Sequence, residues 1–275
     1  MTVSDTLSLA INAARAAGTE ILKIYNSNYD AWEKEGNAPV TDADIASEKI
    51  ILDTLRASAY SVLSEETDDD LARLSEKTIW VVDPLDGTQD FLNKTGEFSV
   101  LIGLVQNEHP TLGVIYQPTA DKLYFGEKGK GSYVQTNGGD PKRIHVSDTK
   151  KLASFQAVMS GFHSNPLHLA LATGLGIAHT TRMGSAGLKA ATVAEGQHDI
   201  YFHTSHHTCE WDTCAGDILL AEAGGTMTDL LGQPLLYNQT DVNRRHGILA
   251  SNGVIHEQLV EKIQDYLLRE HSSNT

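Results

Sequence analysis

Apolar residues recur at helical spacing from Ser4 to Tyr25: Leu7, Ile11, Ala14, Ala17, Ile21 and then Ile24 or Tyr25 share one stripe, and Ser4 stands where an N-cap belongs. The pattern predicts an amphipathic helix with one buried face. A polar break over 26–40 ends it. Thr41-Asp42-Ala43-Asp44 then opens a second helix, with Ile45, Glu48, Leu52 and Leu55 on neighbouring turns. Val62-Leu63 reads as the end of a strand. Ile79-Trp80-Val81-Val82 is apolar without alternation, as expected of a strand covered on both faces, and it meets Asp83. There Pro84 and Gly87 predict a tight turn that holds Asp86 and Thr88 at the strand mouth.

Downstream the rhythm changes twice. Short β-rich runs at 98–106, 111–117, 123–126, 132–135 and 144–146 are separated by Asn-Glu, Pro, Gly-Lys-Gly and Asn-Gly-Gly, and they predict an antiparallel meander. After about Asp148 strands and helices alternate. Strands are expected at 155–159, 177–181, 199–203 and 248–250, and helices at 165–173, 186–195, 212–223 and 257–269, with Gly224-Gly225 stopping the third. The chain therefore divides into an N-terminal α+β lobe, 1–150, and a C-terminal α/β lobe, 151–275, with no flexible linker between them. No internal repeat or low-complexity segment occurs.

Composition narrows the function classes. A formal net charge of -15 opposes binding to nucleic acid polymers and anionic membranes unless a cation mediates, so a phosphate-handling protein this acidic needs metal. Two cysteines, Cys209 and Cys214, are too few for a disulfide framework or a structural zinc site, and a reducing cytoplasm is the expected compartment. The N-terminus has no signal-peptide pattern, and no apolar run reaches the ~18 residues of a membrane span.

Oxygen donors at predicted strand ends carry the candidate chemistry. Asp83 and Asp86 flank a proline that cannot join a continuing ladder, and Glu65 follows Leu63-Ser64 at another strand end, so three carboxylates are expected to converge at one sheet edge. Hard divalent cations, magnesium above all, bind such a set, leaving positions for water and substrate phosphate. The competing reading is a turn rich in good turn formers. Asp44 fits a capping box with Thr41, and Asp212, at a predicted helix start, fits an N-cap; both have local explanations. The aspartate run 68–70 reads as solvated loop, as does His203-Thr204-Ser205-His206-His207-Thr208-Cys209 beside the site. Trp211 either packs on a substrate base or fills core.

In combination these segments resemble a known family. Val40-Thr41-x-x-Asp44, Ser64-Glu65-Glu66, Asp83-Pro84-Leu85-Asp86-Gly87-Thr88 and Trp211-Asp212-x-x-Ala215-Gly216, in this order, are similar to the motifs of the inositol monophosphatase superfamily. Gln89-Asp90-Phe91 and Ser185-Ala186-Gly187-Leu188-Lys189 resemble its 3'(2'),5'-bisphosphate nucleotidase branch. The stretch 158–165 is similar to that branch's nucleotide-contacting Thr-Arg-Ser-His segment but lacks the Arg, and Gln89 stands where the branch has Lys.

The resemblance implies a layered α-β-α-β-α sugar-phosphatase fold. It further implies two or three Mg2+ ions on Glu65, Asp83, the Leu85 carbonyl, Asp86 and Asp212, with Asp44 and Thr88 relaying a proton from the attacking water. Gly87 and Thr88 would cradle the phosphate, and Ser160, His163, Ser185 and Lys189 would touch substrate, Lys189 pairing with a second phosphate. The implied activity is hydrolysis of a small-molecule phosphate ester, 3'-phosphoadenosine 5'-phosphate to AMP and phosphate. Alternatives are an inositol or sugar monophosphatase and a non-catalytic metal-binding regulatory protein. A homodimer is one assembly the sequence leaves open.

Overall fold

The computed structural model describes residues 3–33, 39–162, 166–204 and 208–273. Helix α1 (Asp5–Tyr25) is capped by Ser4, whose hydroxyl accepts from the Leu7 amide, and it buries Leu7, Ala10, Ala14, Ala17 and Ile21. Strands β1 (Ala31–Glu33) and β2 (Pro39–Thr41) form a small antiparallel pair that the sequence pattern did not reveal, followed by α2 (Asp42–Leu55). The buried face of α2 runs through Ala43, Ser47, Ile51 and Leu55. Ile45, expected on the inner stripe, is 45% exposed because α2 meets α1 and the sheet one position further round.

Seven strands follow: β3 (Ser61–Ser64), β4 (Thr78–Asp86), β5 (Ser99–Gln106), β6 (His109–Gln117), β7 (Lys122–Glu127), β8 (Gly131–Thr136) and β9 (Lys142–Arg143), with the short helix α3 (Thr88–Leu92) between β4 and β5. They lie side by side in chain order in one sheet. β3 runs parallel to β4 and every later pair is antiparallel, which is the expected meander. Both faces are covered. Val100, Ile102 and Leu104 of β5 pack toward α1 and α2, and Leu101 and Val105 toward the interior of the molecule. Covering both faces removes any need for polar alternation, which explains the continuous apolar run of β4.

The second sheet draws on β10 (Gln156–Ser160), β11 (His179–Met183), β12 (Ile200–His203), β13 (Thr226–Thr228) and β14 (Ile248–Ser251), in the order β11-β10-β12-β14-β13. Helices α4 (Pro166–Gly174), α5 (Ala186–Ala194), α6 (Glu210–Glu222) and α7 (His256–Ser273) connect or follow them. Val158, Tyr201, Ala250 and Met227 face the same core as Leu101 and Val105, with α5 and α6 between the sheets. Ala157, Met159, Ile200, Phe202 and Leu249 face α4 and α7 on the far side. The layers are thus α1/α2, seven-stranded sheet, α5/α6, five-stranded sheet, α4/α7: the α-β-α-β-α order the resemblance implied.

Two local differences from the sequence pattern matter for the site. The strand β4 does not stop at Asp83 but continues through Asp86, with Asp83 opposite Leu101 and Asp86 opposite Ser99. The partner strand advances one residue less over that interval, so Pro84 and Leu85 sit in a bulge, where a missing amide is tolerated. Helix α6 begins at Glu210 rather than Asp212, with Cys209 at the N-cap and Asp212 as the third helical residue, its carboxylate accepting from the Cys209 amide at 2.6 Å.

His256 anchors the start of α7 to the sheet. Its Nδ1 lies 2.8 Å from Ser251 Oγ and its Nε2 2.9 Å from Thr228 Oγ1. The Thr228 hydroxyl donates to the Asp229 carbonyl, which leaves Nε2 as the donor to Thr228 and Nδ1 able to accept from Ser251. Burial pushes its pKa down from 6.5 to about 4. A proton therefore prefers the unfolded chain, and stability complete above pH ~6.5 is lost as pH falls toward 4, by up to ~3 kcal/mol. We expect the stability gap between the parent and His256→Gln to be widest at neutral pH and to close toward pH 4 in urea titrations. A gap constant with pH would show that the ring is not held neutral.

Candidate active site

The carboxyl ends of β3, β4, β10 and β12 and the N-termini of α5 and α6 open onto one cavity of about 420 Å³. Its lining includes Glu65, Asp83, Leu85, Asp86, Gly87, Thr88, Ser160, Ser185, Lys189 and Asp212, so most of the sequence-predicted residues share one pocket. The parallel pairing of β3 with β4, Ser64 opposite Val82, carries Glu65 to the level of Asp83. Asp44 stands behind Thr88. His163 lies outside the described residues, as do positions 205–207 of the histidine-rich loop.

Carboxylate oxygens of Asp83, Asp86 and Asp212 all lie within 4.8 Å of one another. Glu65 stands outside that triad but lines the same cavity and acts on it electrically. Burial, and after it the charges of Glu65, Asp86 and Asp212, push Asp83 well above the usual carboxylate range. Asp212 is pushed up to about 7, first by burial and then by Asp86. Like charges at this spacing repel unless protons or a cation intervene. Each acid is tied locally: Asp83 Oδ1 accepts the Leu85 amide at 3.0 Å across the bulge, and Asp86 accepts the Ala186 and Gly187 amides at 3.0 and 2.8 Å and the Ser185 hydroxyl. An all-oxygen donor set, fixed by backbone and crowded with negative charge, fits a hard divalent cation.

Gly87 sits at φ 98°, with the Glu97 carbonyl 3.1 Å from where a Cβ would be, so only glycine makes this turn without strain. It delivers Thr88 to the start of α3. The Thr88 hydroxyl donates to Asp44 Oδ1 at 3.1 Å and is shared with the Leu85 carbonyl at 3.3 Å. Asp44 also completes the capping box of α2, its Oδ2 accepting the Thr41 amide and hydroxyl, both at 2.7 Å. The capping contacts and the Thr88 contact of Asp44 thus fall on different oxygens. Burial raises its pKa to about 6, partly offset by the Thr41 hydrogen bond.

The cavity wall holds residues that the sequence pattern did not single out. Tyr201 of β12, opposite Val158 of β10, lines it with Pro39, while His203 and Thr208, expected in a solvated loop beside the site, are instead buried in its wall, His203 Nδ1 lying 3.3 Å from Thr208 Oγ1. Tyr201 was discoverable from its strand position; Pro39 carries no local signal. Trp211 packs against the central core and is absent from the cavity lining, so of its two expected roles it fills core. Neither Cys209 nor Cys214 is in a disulfide. Among the described residues no helix is long and apolar enough to cross a membrane.

Comparison with known proteins accords with this geometry. The chain is 36% identical over 239 residues to the 3'(2'),5'-bisphosphate nucleotidase CysQ of Aggregatibacter actinomycetemcomitans, covering 84% of this chain and 87% of that protein. It is 29% identical over 251 residues to the inositol-1-monophosphatase of Bacillus subtilis, covering 90% and 92%. Among solved structures, CysQ from Bacteroides thetaiotaomicron, described as a bacterial member of the inositol monophosphatase family, superposes with a TM-score of 0.76 at 32% identity, covering 89% of this chain and 96% of that one. The profile of the inositol monophosphatase family matches residues 2–268, and this chain belongs to that family.

Proposed function

We propose that this protein is a magnesium-dependent phosphomonoester hydrolase that converts 3'-phosphoadenosine 5'-phosphate to AMP and phosphate. The observation that carries the reading is the convergence of Asp83, Asp86 and Asp212, mutually repelling and buried, beside a Thr88–Asp44 hydrogen bond in one cavity. Asp83, Asp86, Asp212, Glu65 and the Leu85 carbonyl would hold the metal. Magnesium, when bound, supplies the charge that neutralises the phosphoryl oxygens and eases ionisation of the attacking water.

The chain's own groups do the rest. Thr88 accepts the water proton as its hydroxyl proton passes to Asp44, whose pKa of about 6 suits a base working near neutral pH. The water oxygen bonds to phosphorus in line with the departing ester oxygen, the P–O ester bond breaks, and the alcohol leaves with a proton regained from solvent or from Asp44. Gly87 and Thr88 hold the phosphate at the turn. Ser160, His163 and Ser185 are the proposed substrate-side residues, and the 36% identity to a CysQ nucleotidase supports the adenosine bisphosphate over inositol phosphates.

One observation favours a second reading. Among the described residues lining the cavity, Lys189 is the one lysine or arginine, a thin positive surround for a doubly phosphorylated substrate. An inositol or sugar monophosphate would ask less of it. Phosphate release measured side by side for the bisphosphate nucleotide and for inositol 1-phosphate separates the two, and the nucleotidase reading expects the former to be clearly faster. Equal rates would reject it, and no release from either or from a wider panel of esters would favour a non-catalytic metal-binding protein.

Two variants test the chemistry. Asp83→Asn should abolish turnover while removing one of the repelling charges, so that in metal-free buffer it melts no lower than the parent and gains less from added Mg2+ in a thermal scan. Parent-like turnover would remove Asp83 from the site. For Asp44→Asn, kcat should drop about 10²- to 10⁴-fold. The parent's rate should fall below pH about 6 as Asp44 takes up its proton, and that limb should vanish from the variant's residual activity. An unchanged acid limb would assign the base elsewhere.

A further inference from the structure

The turn between β11 and α5 is held from two sides by opposite charge. Lys189, in the first turn of α5 and only 3% exposed, donates from Nζ to the Ser185 carbonyl at 2.7 Å, the Gly184 carbonyl at 3.3 Å and the Met183 carbonyl at 3.4 Å. On the opposite side the amides are taken up by acids: Gly184 donates to Glu97 Oε2 at 2.8 Å, and Ala186 and Gly187 donate to Asp86 at 3.0 and 2.8 Å. Three consecutive carbonyls converge on a cation while the neighbouring amides converge on anions.

This arrangement is unfavourable for α5 itself. A lysine in a first helical turn opposes the helix dipole, and a buried ammonium loses its hydration. Backbone geometry adds to the cost. Ser185 sits at φ 51°, ψ 125°, outside the regions L-residues prefer, and Gly184 has no room for a Cβ, because one would lie 2.4 Å from both the Asp90 carboxylate and the Glu97 carbonyl. What the strained turn achieves is the placement of Asp86. The Ser185 hydroxyl donates to it and is itself oriented by Ser99 Oγ at 2.8 Å, while the Leu188 amide caps the same oxygen at 3.0 Å.

We propose that Lys189 is a positioning residue for the metal centre rather than a receptor for a substrate phosphate. By gathering the 183–185 carbonyls, its ammonium turns the following amides and the Ser185 hydroxyl onto Asp86 and fixes that carboxylate as a ligand. The Tyr201 ring, its centroid 5.3 Å from Nζ, closes the site from the sheet side. To bind a second phosphate the ammonium would have to leave its three carbonyls. The inference rests on the reading of the acid cluster as a magnesium site.

The test is direct titration of Mg2+ by calorimetry into substrate-free parent, Lys189→Met and Ser185→Ala. Loss of a group that orients a metal ligand typically weakens binding about 10- to 100-fold, and both variants are expected in that range. Steady-state kinetics at saturating Mg2+ should then give KM values for the adenosine bisphosphate and for a monophosphate ester that move together, with the loss carried by kcat and by a raised Mg2+ requirement. Parent-like Mg2+ affinity in either variant overturns the proposal, as does a KM raised in Lys189→Met for the bisphosphate alone. Ser185→Ala leaves the lysine site intact and decides the matter if Lys189→Met does not fold. A parent that binds no Mg2+ sinks the metal reading as well, whereas a parent that binds it and hydrolyses ester while both variants bind equally sinks this inference only.

Discussion

Repulsion among buried carboxylates is the constraint around which the molecule is built. Asp83 and Asp86 are 1% and 6% exposed, and Asp212 lines the cavity they share. Bringing such groups within reach of one another without a cation costs free energy that the rest of the fold must offset. The structure limits that cost with fixed dipoles. The bulge in β4 turns the Leu85 amide onto Asp83, the start of α5 turns two amides and a hydroxyl onto Asp86, and the start of α6 turns the Cys209 amide onto Asp212. Apart from the Ser185 hydroxyl these donors are backbone amides, so each acid is held in orientation even where it is electrostatically unfavoured.

The layer order follows from that requirement. Asp83 and Asp86 come from the first sheet and Asp212 from the middle helical layer, so the cluster forms only when α5 and α6 are packed between the two sheets. The core that fixes this packing mixes residues from every one of those layers: Leu101 and Ile115 from the first sheet, Leu188 and Leu219 from the helices, Val158 and Tyr201 from the second sheet. Large-to-small changes there, each worth about 2–5 kcal/mol at a buried Leu or Ile, would act on stability and on the site together. Helix α1, in the outer layer, has no such double role. Helix α1 covers the far face of the first sheet and contributes no residue to the cavity lining.

Much of this was legible in the sequence because the strongest signals were local. The stripe of α1, the unalternating run of β4, the turn chemistry of the meander and the spacing of the acid motifs each predicted an element or a cluster that the fold contains. What the sequence misassigned depends on neighbours. Pro84 and Gly87 read as the end of a strand, yet β5 continues to pair as far as Asp86 by accommodating a bulge. Ile45 lies on a plausible apolar stripe, yet the direction from which α1 and the sheet approach leaves it outside. The pair β1 and β2, three residues each, is too short to carry a period. Lys189, which the resemblance sets against a phosphate, donates in the fold to three backbone carbonyls that no sequence pattern foretells.

Asp44 bears on how local and functional explanations relate. At the sequence level a capping acid and a proton acceptor are rival accounts of one residue. In the folded chain they divide its two oxygens, Oδ2 bound by Thr41 and Oδ1 by Thr88. The capping box therefore supplies what the proposed base requires: a carboxylate whose orientation the fold fixes, with one oxygen held by Thr41 and the other by Thr88. Asp212 follows the same logic on α6, where its bond to the Cys209 amide satisfies the helix start and leaves the second oxygen to the cluster. Helix N-termini are thus the common device, since each has unpaired amides that need an acceptor, and the acid that answers that need is thereby fixed at the site, Asp212 in the cavity lining and Asp44 behind Thr88. A local reading of such a residue is evidence for the functional one when the helix it caps starts at the site.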